Sequence, residues 1–222
     1  MDKIYQQIAV LGKAYNADKI TLFGSRARND HRERSDIDIA VYGLADSARA
    51  AFRSAVEELP TLMSFDIVFV DDNTDKALLS NIQKDGITLM SKMNEKFSKF
   101  VLATDRLCAA IEDYDKLGLD VIRDGVIQRF EFCTELAWKT LREYLIEQGY
   151  TDINSPKNVL KTAFADGILN DEQGWLDILD ARNITSHVYD EATAQKIFDN
   201  IRGTYADLFK QLINRLNINS DK

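Results

Sequence analysis

One change of hydrophobic period, near residue 94, divides this chain of 222 residues and constrains its fold more than any other feature. Before it, runs with apolar residues at every second position alternate with runs at helical spacing; after it, only helical spacing remains. In the first part, Ile4, Ile8, Leu11 and Tyr15 predict a helix over residues 2–15, and Ile20-Thr21-Leu22-Phe23 predicts a short strand ending at Gly24-Ser25. Residues 36–41 read as a strand with Ile37, Ile39 and Val41 on one face and Asp36 and Asp38 on the other. A helix over 47–59 with Pro60 just beyond it, a strand over 65–70, a helix over 75–84 and a short strand over 87–90 complete the pattern. These are the parts of a small mixed sheet with helices packed on it.

Beyond the change, residues 95–114, 121–147, 156–165, 171–187 and 191–216 all read as helices. Gly149 suits a helix C-cap, Ser155-Pro156 an N-cap followed by proline at the first helical position, and Asn170 or Asp171 and then Asp190 suit further N-caps. Long helices with short connections predict an antiparallel all-α bundle. The expected fold class is therefore α+β, with a sheet domain over 1–92 and a helical domain over 93–222. The joint at residues 91–95 lacks the Gly, Ser and Pro of a flexible linker, which predicts domains that sit close together.

Composition excludes several classes. There is no apolar run long enough to span a bilayer, and the N-terminus lacks the apolar block of a signal peptide, so a soluble cytoplasmic protein is expected. Two cysteines, Cys108 and Cys133, make neither a disulfide framework nor a zinc site and read as small buried hydrophobes. The formal charge is -8, and neither half carries the basic excess of a general nucleic-acid binder. Contact with nucleic acid must then be local.

Chemistry concentrates first at Gly24-Ser25, a ten-residue spacer, and Asp36-Ile37-Asp38. Two carboxylates at a strand end repel one another unless a cation neutralises them, and hard oxygen ligands so placed suit Mg²⁺, which also takes waters and substrate phosphates. Asp66, between Phe65 and Ile67, offers a third carboxylate on a neighbouring predicted strand. Gly24 allows close approach of the backbone to a phosphate, and Ser25 supplies a hydroxyl beside it. These parts fit metal-assisted nucleotidyl transfer. Arg26, Arg28, Arg32 and Arg34 occupy the spacer; Arg26 divides evenly between a phosphate contact and a solvated loop residue, and the other three and His31 read as solvated.

In the helical half, Arg182-Asn183-Ile184-Thr185-Ser186-His187-Val188-Tyr189 closes a predicted helix. Histidine titrates near neutrality and can move a proton, and an arginine can stabilise charge on a phosphate. On an ideal helix Arg182 and His187 lie about 140° apart, whereas Asn183 and His187 share a face. A working Arg/His pair therefore needs a distorted helix end or a second subunit. Phe130, Phe132 and Trp138 read as core aromatics, and Glu131 and Lys139 as a solvated or paired face.

Residues 15–90, through Gly24-Ser25, Asp36-Ile37-Asp38 and Phe65-Asp66-Ile67-Val68, resemble the minimal nucleotidyltransferases of the polymerase-β superfamily. The resemblance implies Asp36, Asp38 and Asp66 as metal carboxylates, Gly24 and Ser25 as triphosphate contacts, and ATP as the substrate. Residues 95–218, through Phe130-Glu131-Phe132, Trp138-Lys139, Arg182-Asn183 and Ser186-His187-Val188-Tyr189, resemble HEPN domains of the nucleotidyltransferase substrate-binding group. That resemblance implies a homodimer through the helical domain and a metal-independent RNA-cutting site at Arg182 and His187. The two domains usually form a toxin–antitoxin pair of separate chains. In such pairs the transferase silences its partner by moving AMP from ATP onto a tyrosine two residues after the histidine, here Tyr189. Two other readings stand beside this one: transfer to a small molecule held by the helical domain, and a nucleotide-binding regulator without turnover.

Overall fold

The computed structural model describes residues 3–185 and 190–220. The chain divides into two compact units, Met1–Asn94 and Glu95–Lys222.

The first unit runs α1 (Lys3–Ala14), β1 (Lys19–Phe23), α2 (Gly24–Arg28), β2 (Ile37–Tyr42), α3 (Asp46–Glu57), β3 (Phe65–Val70), α4 (Lys76–Asp85) and β4 (Ile87–Ser91). Its four strands are ordered β3-β2-β1-β4. β1 pairs antiparallel with β2 and β4, while β2 and β3 are parallel, joined by the crossover helix α3. The sheet is thus mixed, as expected. Ile37, Ile39 and Val41 are buried against Ile8, Phe52 and Val56, which places α1 and α3 over one face. Phe52 meets Tyr15 and Phe69 edge-on, with ring centroids 5.6 and 6.3 Å away. The opposite face of β2 begins with Asp38, half-buried, followed by buried Ala40. Asp36 lies one residue before β2 and is exposed, so it enters the site from a loop rather than from the strand face.

The second unit contains most of α5 (Lys92–Leu117), then α6 (Asp120–Glu147), α7 (Pro156–Ala165), α8 (Glu172–Thr185), α9 (Glu191–Asn200), a π-helical turn (Ile201–Tyr205) and α10 (Ala206–Ser220). The helical character is as the periodicity predicts. The Ser155 hydroxyl accepts from the Asn158 amide and Pro156 follows at the first helical position, as expected. Asp171 and Asp190 accept from the Gly174 and Thr193 amides. α6 packs against α7, α8 and α9. Phe209 gathers the core aromatics: its ring lies 5.8 Å from Phe100, 6.1 Å from Phe130 and 5.9 Å from Trp175. The helix expected over 191–216 is continuous in path but changes hydrogen-bond register at the π turn, where Gly203 sits in open space.

Phe132 departs from expectation. Two residues along a helix is a rotation of about 200°, so Phe130 and Phe132 cannot share the core. Phe130 is fully buried and Phe132 is 55% exposed.

Candidate active site

Strand pairing assembles the first site. Asp38 is the register partner of Phe23 on β1 and of Asp66 on β3, so the end of β1 and both carboxylates lie in one row across three strands. Directly after Phe23, Gly24 adopts φ +69° and turns the chain into α2. A Cβ at Gly24 would fall 2.1 Å from Asp38 Oδ2, so the Gly24 backbone packs straight onto that carboxylate. A left-handed φ and this close approach both demand glycine. The Gly24 and Ser25 amides open α2 and have no intrahelical acceptors.

The Asp38 carboxyl is held above its ordinary range, first by burial, then by the charges of Asp66 and Asp36, with Arg28 and Arg26 opposing. Asp38 therefore feels both neighbouring carboxylates. Among the described residues, however, no three His, Cys, Asp or Glu side chains close around a common point as a metal cage. Such a donor set suits a cation that keeps waters and phosphate oxygens in its shell, as Mg²⁺ does, with only one or two carboxylates bound.

Arg26 is placed differently from a phosphate-binding residue. It is 9% exposed, and its guanidinium donates to the carbonyls of Ser35 (3.0 and 2.7 Å), Asp36 (3.1 Å) and Glu33 (3.4 Å). Those donors hold the loop that presents Asp36. Its burial follows from the loop folding back over α2, which spacing alone does not reveal. Arg28 pairs with Asp30 at 3.1 Å, and Arg32, Arg34 and His31 are exposed, in line with solvated readings.

In the helical unit, Arg182 near the end of α8 pairs with Glu135 on α6 at 2.9 Å. Glu135 also takes Lys139 at 3.1 Å and the Trp138 indole N–H at 3.3 Å, and the Lys139 ammonium stands 5.6 Å from the Trp138 ring centroid. Trp138 is not core: it lines a cavity of about 390 Å³ with Glu135, Lys157, Asp180, Arg182 and Asn183. Past the segment, Glu191 on α9 pairs with buried Arg123 of α6, which also contacts Asp124 at 3.2 Å. The residues on either side of 186–189 are thus tied to the same helix. His187 and Tyr189 themselves lie outside the described residues.

The profile of the family "Nucleotidyltransferase substrate binding protein like" matches residues 95–218, more than half of the chain. The chain belongs to that family. Residues 6–95 match the polymerase beta nucleotidyltransferase family, so this substrate-binding family member also carries its own transferase domain. A relative from Haemophilus influenzae, "Probable ribonuclease HepT", is 35% identical over 86 residues, which are 37% of this chain and 59% of that protein. The chain thus matches about three fifths of that relative's length. Among solved structures, HI0074 of Haemophilus influenzae, described as a substrate binding domain of a nucleotidyltransferase, is 24% identical. That match covers 55% of this chain and 98% of the other at a TM-score of 0.50, a likeness of fold. A protein from Thermus thermophilus is 35% identical over 51% of this chain and 98% of its own, with a TM-score of 0.45. No helix among the described residues is long and apolar enough to cross a membrane.

Proposed function

We propose that this nucleotidyltransferase transfers AMP from ATP to Tyr189 of its own substrate-binding domain, in the same chain or in a second copy, and thereby silences an RNA-cutting site containing Arg182 and His187. The observation that carries the transferase half is the row of Gly24, Asp38 and Asp66 at adjoining strand ends. In the transfer, the Tyr189 phenolic oxygen bonds to the α-phosphorus of ATP and the bond from that phosphorus to pyrophosphate breaks. The phenolic proton passes to a carboxylate of the trio, and pyrophosphate leaves. From Asp36, Asp38 and Asp66, one or two carboxylates would hold Mg²⁺ with waters and phosphate oxygens, leaving another to take the phenolic proton, and the cation when bound would neutralise phosphate charge. Gly24 and Ser25 receive the triphosphate on their amides and hydroxyl, and Arg26 fixes the loop that carries Asp36.

For the helical half, support comes from the name of the Haemophilus relative and from the Arg182 to Tyr189 segment. An added nucleotide at Tyr189 would bring negative charge beside Arg182 and repel an RNA backbone. Pairing through the helical domain would let two segments face each other and supply the Arg/His geometry that one helix denies.

The test is incorporation of label from ATP carrying a radioactive α-phosphate. Label should enter the wild-type chain and should fail to enter Asp38→Asn and Tyr189→Phe. Equal labelling of Tyr189→Phe contradicts the reading, and turnover that requires an added small molecule replaces it.

A further inference from the structure

We propose that the cavity between α6, α7 and α8 binds a nucleoside monophosphate unit, with its base against Trp138 and its phosphate at Lys157 and Arg182. This deepens the ribonuclease half of the reading above, on which it rests. At about 390 Å³ the cavity falls in the size range of small-ligand sites. Its apolar surface comes from the Trp138 indole and from Leu176 and Leu179, all half-buried, which suits a flat heteroaromatic ring. Around that surface stand Asp180 and Asn183, a carboxylate and an amide able to read the hydrogen-bonding edge of a base.

The phosphate end is marked by three groups. Arg182 gives one terminal nitrogen to Glu135, and a guanidinium carries five N–H donors, more than that pair uses. Lys157, exposed, lines the cavity and carries a second cation there. The Lys157 amide lies at the second position of α7, with no carbonyl one helical turn earlier in the helix to accept it. Charge agrees with this assignment. Of the lining groups, Lys157 and Arg182 balance Glu135 and Asp180, and Lys139, paired to Glu135 from outside the cavity, adds a further positive charge beside it, so an anion is not repelled there although the chain's formal charge is -8. An anion carrying a flat ring is the ligand that uses every one of these groups.

The nucleotide can come free or as part of a single RNA strand, and one titration separates the two. The full chain carrying Trp175→Phe and Tyr189→Phe keeps Trp138 as its one tryptophan and cannot be modified at Tyr189. Its fluorescence is titrated with AMP, which cannot donate a nucleotidyl group, and with a single-stranded hexaadenylate. Saturable quenching by AMP is expected, weakened at least fivefold by Lys157→Ala. Hexaadenylate binding more than tenfold tighter than AMP identifies an RNA strand as the source; equal or weaker binding identifies the free nucleotide. Unchanged Trp138 emission at millimolar AMP, or quenching unaffected by Lys157→Ala, overturns the proposal. Should Trp175→Phe fail to fold, equilibrium dialysis of labelled AMP against Tyr189→Phe with and without Lys157→Ala decides the same question. Because AMP is inert as a donor, failure here leaves adenylyl transfer to Tyr189 standing, and failure of transfer leaves this site standing.

Discussion

Asp38 and Asp66 are register partners across the parallel strands β2 and β3, and the Asp38 carboxylate is covered by the backbone of Gly24. The arrangement joins a glycine turn to a pair of acids through strand pairing alone. It makes the site sensitive to single atoms.

Gly24→Ala adds one such atom. Its Cβ would meet Asp38 Oδ2 at 2.1 Å from a left-handed backbone. Strain of about 1–2 kcal/mol is expected from the backbone alone, and displacement of Asp38 should lower the transfer rate at least tenfold. Thermal unfolding and the α-labelled ATP assay read the two effects separately. Full transfer activity in this variant would show that Asp38 need not be held where Gly24 places it.

Arg26→Met distinguishes a loop clamp from a phosphate contact. The buried guanidinium supports three carbonyls, and bonds from a charged donor contribute about 1.5–3 kcal/mol each, not additively. The variant should unfold at lower urea concentration and lose kcat, with the KM for ATP nearly unchanged. A large rise in KM without loss of stability would restore the phosphate-contact role.

Glu135→Gln should barely change stability. The Arg182–Glu135 pair is partly exposed on both sides, and such pairs contribute about 0–1 kcal/mol. The variant should instead tighten AMP binding in the Trp138 cavity, because it removes the carboxylate that competes with phosphate for Arg182. Weaker binding would contradict that role for Glu135.

Burial pushes the Cys133 thiol up to about 12, against an ordinary value of 9.0. The unfolded chain therefore loses this proton at lower pH than the folded one. Stability from this group is full below pH 9 and declines as pH rises from about 9 towards 12. Urea unfolding at stepped alkaline pH, compared with Cys133→Ala, isolates the contribution. Native alkylation at about pH 8, below the ordinary thiol value, should spare Cys133.

The strands were legible because alternation is enforced by a one-sided core: Ile37, Ile39 and Val41 all point into it. The carboxylates were legible because all three lie next to or within those strands, Asp36 just before β2, Asp38 in β2 and Asp66 in β3. α2 was not, since Gly24–Arg28 is too short to show a period and has no apolar stripe. Nor was the inward turn of Arg26, which depends on where the loop at 33–36 returns. The Glu135–Arg182 pair joins helices that only tertiary packing brings together, and Trp138, expected in the core, donates to the same Glu135 and lines the cavity beside it. An aromatic three residues after an acid, with a lysine next to it, was the signal available in the sequence.

The central claim is self-directed adenylyl transfer, and intact mass tests it most directly. Purified protein, checked first for modification already present, is weighed before and after incubation with ATP and Mg²⁺ alongside Tyr189→Phe. The account predicts gains in AMP-sized steps in the wild type and none in the variant. Unmodified starting material that gains no mass, or a variant that gains as much as the wild type, would contradict it.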